Sequence, residues 1–179
     1  MVWKRFSDGG ECKWWLVNKL QKRGYEVRPD WIPFTEKETE EEWSHYSPRV
    51  DIAVGPFDAA GGSKEILNAA EKDALTSFLK GHTADVNPHP NCLVAIEIGY
   101  TGTRKHRMGD LVNASLTGHV GIVVAKSERT EQSYLRVQEY MDYYNRQRAS
   151  PFGLCANVLV MTVDAAADML ASITKRSRG

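Results

Sequence analysis

The chain has 179 residues, and its 23 basic and 23 acidic side chains give a formal net charge of zero. This balance excludes a polycation that binds nucleic acid through its overall charge, so any such contact must come from a local patch. An apolar content of 42% with only 7 prolines argues against a disordered chain, and the length suffices for one domain with a substantial core.

The cysteines and the apolar runs indicate the cellular compartment. Cys12, Cys92 and Cys155 are far apart in the sequence and form no CxxC pair, so a structural zinc site is not expected. No apolar run approaches the roughly 20 residues that span a bilayer. The first residues lack the apolar segment of a secretory signal peptide. These features predict a cytoplasmic protein that has no membrane segment.

The chain begins with a predicted helix and a predicted edge strand. Residues 10–23 have apolar side chains every four positions from Cys12, and Gly24 is a natural end for a helix. Glu11 lies in the first turn, where an acid complements the positive end of a helix. Residues 25–34 are strand-like but contain two prolines, which places them at a sheet edge or in an irregular segment.

A second strand and a second helix follow. Residues 35–42 are an acidic run, which is typical of solvated surface. Residues 48–57 alternate apolar and polar side chains, which predicts a strand, and Asp51 falls on the face opposite its apolar neighbours. A single Asp beside a strand start is also a common turn or cap residue. Residues 63–80 have the apolar spacing of one long helix.

The centre of the chain contains one unusual charge. Residues 93–98 form a nearly continuous apolar run, which is typical of a buried parallel strand, and Glu97 is the only charged residue within it. A carboxylate in such a run is unfavourable unless it is paired or bound to a metal. Glu97 is therefore the first candidate for a functional residue.

The residues after this run predict a turn, a helix and another buried strand. A Gly/Thr turn covers 99–102, a basic cluster covers 104–107, helical spacing covers 110–116, and a β-branched apolar run covers 120–125. The order strand, turn, helix and strand is that of a parallel crossover.

The last third predicts a helix over 130–146, a buried strand over 157–163, and a final helix capped by Asp164. Alternating strands and helices indicate right-handed crossovers, and the two consecutive strands of the first half indicate an antiparallel hairpin. The predicted fold class is an α/β sandwich with a mixed central sheet, in a single domain over 1–179 whose core covers about 10–175.

Asp51 and Glu97 suggest a metal site, because each lies in or beside a strand of the same predicted sheet. Two carboxylates that meet at one sheet edge repel each other unless a cation lies between them. Oxygen ligands favour a hard divalent ion, Mg²⁺ or Mn²⁺. Such an ion lowers the pKa of a bound water and neutralises charge on a phosphate, which suits phosphodiester hydrolysis.

The order of these motifs resembles the PD-(D/E)XK nuclease superfamily, which has the restriction-endonuclease-like fold. The helix with Glu11, the segment PRVDIAVG with Asp51, the segment AIEI with Glu97 and the later strand VGIVVA carry the resemblance over about residues 10–163. The resemblance implies that Glu11, Asp51 and Glu97 bind one or two divalent metals. It also implies that the main-chain carbonyl of Ile98 is a ligand.

One residue departs from the pattern of the family. The lysine expected two positions after the acid is Gly99. A cation there orients the attacking water and stabilises the developing charge. Lys105, at the start of the next helix, is the best substitute, and the alternative is that Lys105 contacts only DNA phosphate or solvent.

The basic cluster after the turn is the expected DNA contact, because clustered Arg and Lys supply most sequence-independent affinity for the phosphate backbone. A merely solvated start of a helix is the alternative. Asp110, which follows, is expected to cap the helix or to pair with Arg107 rather than to act in catalysis. The predicted DNA-binding residues are Arg104, Lys105, His106 and Arg107.

Two hypotheses follow for the function. The first is a metal-dependent DNA endonuclease, for which duplex cleavage by a single-site protein suggests a homodimer. The second is an inactive protein of the nuclease fold that binds DNA or assembles with partners, and Gly99 is its best support. A nucleotide-binding enzyme and a serine hydrolase are disfavoured, because the sequence contains no GxxxxGK[ST], GxGxxG or GxSxG motif.

Overall fold

The computed structural model of the protein describes residues 6–33, 48–58, 62–100, 102–148 and 153–176. The strands in this part of the chain form one five-stranded sheet. They are β1 (Val27–Trp31), β2 (Val50–Phe57), β3 (Cys92–Gly99), β4 (Gly118–Ala125) and β5 (Val158–Thr162).

The described helices follow the strands in an alternating order after β2. They are α1 (Gly9–Gln21), α2 (Lys64–Lys72), α3 (Ala74–Lys80), α4 (Arg104–Thr117), α5 (Glu128–Arg148) and α6 (Val163–Arg176). None of them is both long and apolar enough to span a membrane.

The sheet is mixed, as the sequence predicts. Its strands lie in the order β1–β2–β3–β4–β5, with antiparallel pairs β1–β2 and β2–β3 and parallel pairs β3–β4 and β4–β5. The antiparallel part is the predicted hairpin extended by β3. Helix α4 forms the crossover from β3 to β4, and α5 forms the crossover from β4 to β5.

Two hydrophobic cores cover the two faces of the sheet, because successive side chains of a strand point to opposite faces. On β3, Val94 and Ile96 belong to the core with α1, α2, α3 and α6, whereas Ala95 belongs to the core with α4 and α5. The second core contains Leu111 of α4 and the fully buried Tyr134 of α5. The structure is therefore an α/β fold with helices on both faces of the sheet.

The predicted helix over 63–80 is two helices, and Asp73 is the reason. Asp73 has an extended backbone conformation and is the last cap of α2 and the first cap of α3. Its Oδ2 accepts the Thr76 N–H at 2.7 Å, and its Oδ1 accepts the Tyr25 hydroxyl at 2.8 Å. Capping by Asp favours a helix start over a helix interior, so this local bond interrupts a continuous apolar pattern.

Two other boundaries differ from the prediction. Helix α4 already begins at Arg104, so the basic cluster is its first turn, and the Thr103 N–H donates to His106 Nδ1 at 3.2 Å. Asp164 lies in the first turn of α6 instead of capping it; the Thr162 hydroxyl accepts the Ala165 N–H at 3.3 Å. The acidic run 35–42 lies outside the described residues.

Candidate functional site

Asp51 and Glu97 lie on neighbouring strands, close enough for their carboxyl groups to form a hydrogen bond. The antiparallel register pairs Ile52 with Ile96 and Ala53 with Ala95, so each acid directly adjoins a paired residue. Glu97 is two residues beyond Ala95 on β3 and therefore lies on the face that α4 and α5 cover. Asp51 borders a cavity at the start of α1.

Asp51 is oriented by the backbone of β3. Its Oδ2 accepts the Ile98 N–H at 2.9 Å, so the carboxylate continues the bonding between β2 and β3 beyond their last regular pair. The Ile98 carbonyl accepts the Tyr100 N–H at 3.1 Å. The structure thus brings Ile98 to Asp51 through the N–H group, and the carbonyl has a partner within the chain.

Glu97 is buried, with 5% of its surface exposed, and its Oε1 has no hydrogen-bond partner among the described residues. Burial raises the pKa of Glu97 well above the ordinary value, and the negative charges of Asp51 and Asp110 raise it further. A hydrogen bond with Asp51 acts in the same direction, and Asn113 acts against it. Without a cation, the buried pair is therefore stabilised by a proton on Glu97.

Asp110 of α4 is a third acid close to this pair. Its Oδ2 accepts a hydrogen bond from the Tyr134 hydroxyl. Burial raises the pKa of Asp110, the Tyr134 bond lowers it, and the charge of Asp51 raises it. From the sequence, Asp110 is expected only to cap or to pair, and the one signal for its position is that Asp110 and Asn113 are one turn apart on the same helix.

Tyr134 occupies the space that a side chain at position 99 would need. A Cβ atom built on Gly99 would lie 2.5 Å from Cε2 of Tyr134 and 2.8 Å from its hydroxyl oxygen. Real Cβ atoms do not approach other atoms this closely, so any side chain at position 99 would require Tyr134 to move. Glycine at position 99 is therefore a packing requirement of the α5 crossover.

A cavity of about 330 Å³ lies beside Asp51, at the end of β3 and the start of α1. Asp8, Lys13, Tyr100 and Lys126 line it together with Asp51 and Ile98. Lys13 is bonded to Asp30 at 2.8 Å, and Lys126 Nζ lies 5.5 Å from the centre of the Tyr100 ring. Sequence patterns indicate neither lysine as a site residue, because both approach Asp51 only through the packing of α1 and β4.

The other predicted site residues are not among the described residues that line this cavity. Glu11 is exposed, and its Oε2 accepts the Ser7 N–H at 2.7 Å, so it closes the first turn of α1. Lys105 is exposed on the first turn of α4 and is not among the described residues that line the cavity beside Asp51. Arg104 and His106 are also exposed, and Arg107 is half-buried.

The donor set fits one hard divalent ion better than two. In the described part of the chain, no group of three His, Cys, Asp or Glu side chains is arranged to hold a metal. Asp51 and Glu97 nevertheless supply two adjacent carboxylates, one of which has a buried oxygen without a partner. Mg²⁺ is commonly bound by one or two carboxylates and keeps several waters, so this pair suits it.

The arrangement of Asp51, Glu97 and Asp110 is the basis for a functional proposal, because similarity provides none. Comparison of the chain with protein-family models, with curated proteins and with solved structures gave no match.

Proposed function

We propose that the protein is a divalent-metal-dependent endonuclease that hydrolyses DNA phosphodiester bonds, with a fold of the restriction-endonuclease-like type. The main support is the buried Oε1 of Glu97, which has no partner in the described part of the chain and lies beside a second carboxylate. A buried carboxyl oxygen without a hydrogen-bond partner is unfavourable, and a bound cation would satisfy it. The element order is α1, β1, β2, α2, α3, β3, α4 and β4, in which α1 carries Glu11, β2 carries Asp51 and β3 carries Glu97.

In this proposal Asp51 and Glu97 hold Mg²⁺ or Mn²⁺, and the bound ion supplies a water of lowered pKa and neutralises phosphate charge. The Ile98 N–H fixes the Asp51 carboxylate through its 2.9 Å bond. The Tyr134 hydroxyl fixes Asp110, which adds negative charge beside the pair. The exposed first turn of α4, with Arg104, Lys105, His106 and Arg107, contacts the DNA backbone.

Lys126 and Lys13 are the cations that share a cavity with Asp51. Lys13 is held by Asp30, whereas Lys126 has an exposed side chain at the end of β4. In the proposed enzyme Lys126 therefore replaces the missing lysine of the family more directly than Lys105. A homodimer would place one such site on each strand of a duplex.

The test is plasmid cleavage in Mg²⁺ and in Mn²⁺ by wild type, Glu97→Gln and the control Glu139→Gln. Glu139 is an exposed acid of α5, so its replacement leaves the carboxylate pair intact. We expect nicking or linearisation by wild type and Glu139→Gln, with a loss of at least about 100-fold in Glu97→Gln, because one metal ligand is removed. Cleavage that survives in Glu97→Gln would show that the active site is elsewhere.

The second candidate function is DNA binding without cleavage, and the contact between Tyr134 and Gly99 favours it. That contact excludes the family's lysine from its usual position. The same experiment separates the two functions when DNA binding is measured beside cleavage. A wild-type protein that retards DNA in a gel but cleaves it in neither metal is a binding module.

A further inference from the structure

A second cavity, of about 550 Å³, lies between α4 and α5. Arg104 and Arg107 line it from α4, and Arg136 and Tyr140 line it from α5. Its size is within the range of about 300–1,000 Å³ that is usual for small-ligand sites. We refer to it as the arginine cleft.

The arginine cleft has a positively charged lining, since three of its described lining residues are arginines and none is acidic. None of Arg104, Arg107 and Arg136 forms an ion pair with a carboxylate in the described part of the chain. The Nε of Arg107 is buried and has no hydrogen-bond partner among the described residues. Three guanidinium groups around one cavity match an anion with several acceptor oxygens, and phosphate is the anion that Arg binds with two parallel hydrogen bonds.

The outer wall of the arginine cleft is aromatic and apolar. Tyr140 is 60% exposed, and Met108 is 39% exposed on the opposite helix. Exposed aromatic rings beside basic side chains form a platform on which nucleic-acid bases stack. Bases can stack on a protein ring only when they are unpaired, since duplex bases are already stacked on each other.

The arginine cleft is connected to the carboxylate site through Tyr134. The guanidinium carbon of Arg107 lies 5.9 Å from the centre of the Tyr134 ring. The hydroxyl of the same ring donates to Asp110, whose charge acts on Glu97. The arginine cleft and the carboxylate site therefore have Tyr134 as a common neighbour.

We propose that the arginine cleft binds an unpaired nucleotide of a DNA strand. Its phosphate contacts Arg104, Arg107 and Arg136, and its base stacks on Tyr140. The inference rests on the proposed function for the identity of the polymer, and it narrows the substrate to DNA with a single-stranded segment next to the cleaved bond. Duplex DNA without such a segment makes only the contacts with the phosphate backbone and does not stack on Tyr140.

The test is equilibrium binding of a fluorescent single strand and of a hairpin duplex, measured by anisotropy in EDTA so that no cleavage takes place. The proteins are wild type, Tyr140→Ala and Arg136→Gln, with Tyr143→Ala and Arg129→Gln as controls. Tyr143 and Arg129 are exposed on α5, and neither lines the arginine cleft.

We expect wild type to bind the single strand more tightly than the duplex. Tyr140→Ala should weaken single-strand binding about 10-fold and duplex binding less than about 2-fold, because only the unpaired base loses a stacking partner. Arg136→Gln should weaken both and reduce the salt slope by about one. The controls should stay close to wild type.

The proposal is overturned if the duplex binds as tightly as the single strand, if no binding occurs, or if Tyr140→Ala behaves like Tyr143→Ala. Its failure is distinguishable from failure of the proposed function, because the assay contains no metal and does not depend on cleavage. If the protein cleaves plasmid but Tyr140→Ala binds DNA like wild type, only the proposal for the arginine cleft is overturned. If the protein binds single strands through Tyr140 but does not cleave DNA, only the proposed nuclease function is overturned.

Discussion

Helix α4 contacts two buried polar clusters that differ in how completely their groups are bonded. At its end, the Ser115 hydroxyl donates to Asn157 Oδ1 at 2.6 Å and accepts the Cys155 N–H at 2.9 Å. Asn157 Nδ2 donates to the carbonyls of Ser115 at 3.0 Å and of Gly118 at 3.3 Å. In its first half, α4 instead places Asp110 beside Glu97, whose Oε1 has no partner among the described residues.

The difference separates a structural cluster from a candidate binding site. A fully bonded buried network stabilises one arrangement of the backbone, whereas a partly bonded one is unfavourable unless a ligand completes it. Other unpaired buried atoms in the described part are Arg107 Nε, the Thr117 hydroxyl and His119 Nε2. Burial lowers the pKa of His119, which favours its neutral form, so its missing bond costs less than that of a carboxyl group.

The largest effect is expected when a charge enters the bonded cluster. Asn157→Asp replaces the donor Nδ2 with an acceptor that faces the carbonyl oxygens of Ser115 and Gly118. We expect a loss of about 3 kcal/mol or more in the free energy of unfolding at pH 7, measured by urea denaturation. The matched control is Asn18→Asp on the exposed side of α1, which should change it by less than about 0.5 kcal/mol. If Asn157→Asp and Asn18→Asp lower the free energy of unfolding equally, the cluster around Asn157 is not a structural network.

Metal binding should stabilise the partly bonded cluster by a similar amount. At an Mn²⁺ concentration of 100 times the dissociation constant, linkage adds about 2.7 kcal/mol to the free energy of unfolding. For a chain of this size each kcal/mol raises Tm by about 2–4 °C, which thermal denaturation with and without EDTA measures. Glu97→Gln should abolish this rise in Tm, and Asn18→Asp should retain it. If Mn²⁺ raises the Tm of Glu97→Gln as much as that of wild type, the ion binds at another site.

A methyl group at Gly99 tests the packing of Tyr134. Gly99→Ala places a Cβ 2.5 Å from the ring, and overpacking of this kind typically costs about 1–3 kcal/mol. Gly109→Ala is the matched control, because a Cβ there meets nothing within 4 Å and alanine favours a helix by about 1 kcal/mol. We expect the two variants to change Tm in opposite directions. A neutral Gly99→Ala would show that Tyr134 moves freely.

The stability difference between wild type and Glu97→Gln in EDTA is expected to depend on pH. The folded-state pKa of Glu97 is raised, so the folded protein binds this proton more tightly than the unfolded chain. The resulting stability is fully present below the pKa of the unfolded chain, near the ordinary value of 4.5, and is lost as pH rises through the folded-state pKa. As pH rises between these two pKa values, the free energy of unfolding of wild type should therefore fall relative to that of Glu97→Gln. The difference is about 1.4 kcal/mol for each pH unit that separates the two pKa values. A difference that is independent of pH would contradict a protonated Glu97.

The sequence predicts the features of this site that depend on local pattern. The apolar run around Glu97 and the alternation around Asp51 predict two strands, and the structure places them side by side in the mixed sheet. Periodicity could not predict the end of α2 at Asp73, because the apolar spacing continues through a residue whose side chain caps the next helix.

The contacts that α5 makes with α4 and with the end of β3 could not be predicted from the sequence. Tyr134 reaches Gly99 across 35 positions, and its spacing on α5 predicts only an ordinary core residue. Arg136 and Tyr140 join Arg104 only because α4 and α5 pack side by side on one face of the sheet. Long-range packing of this kind depends on the crossover geometry, which no short segment encodes.

The contact between Tyr134 and Gly99 also limits how the chain can evolve. A lysine at position 99 has no room while Tyr134 remains, so that substitution is harmful alone and tolerable only after residue 134 becomes smaller. The effects of the two changes are therefore not additive. Because loss of Tyr134 also releases its bond to Asp110, the intermediate sequence is itself disadvantaged, and the two residues together resist the gain of a lysine at this position.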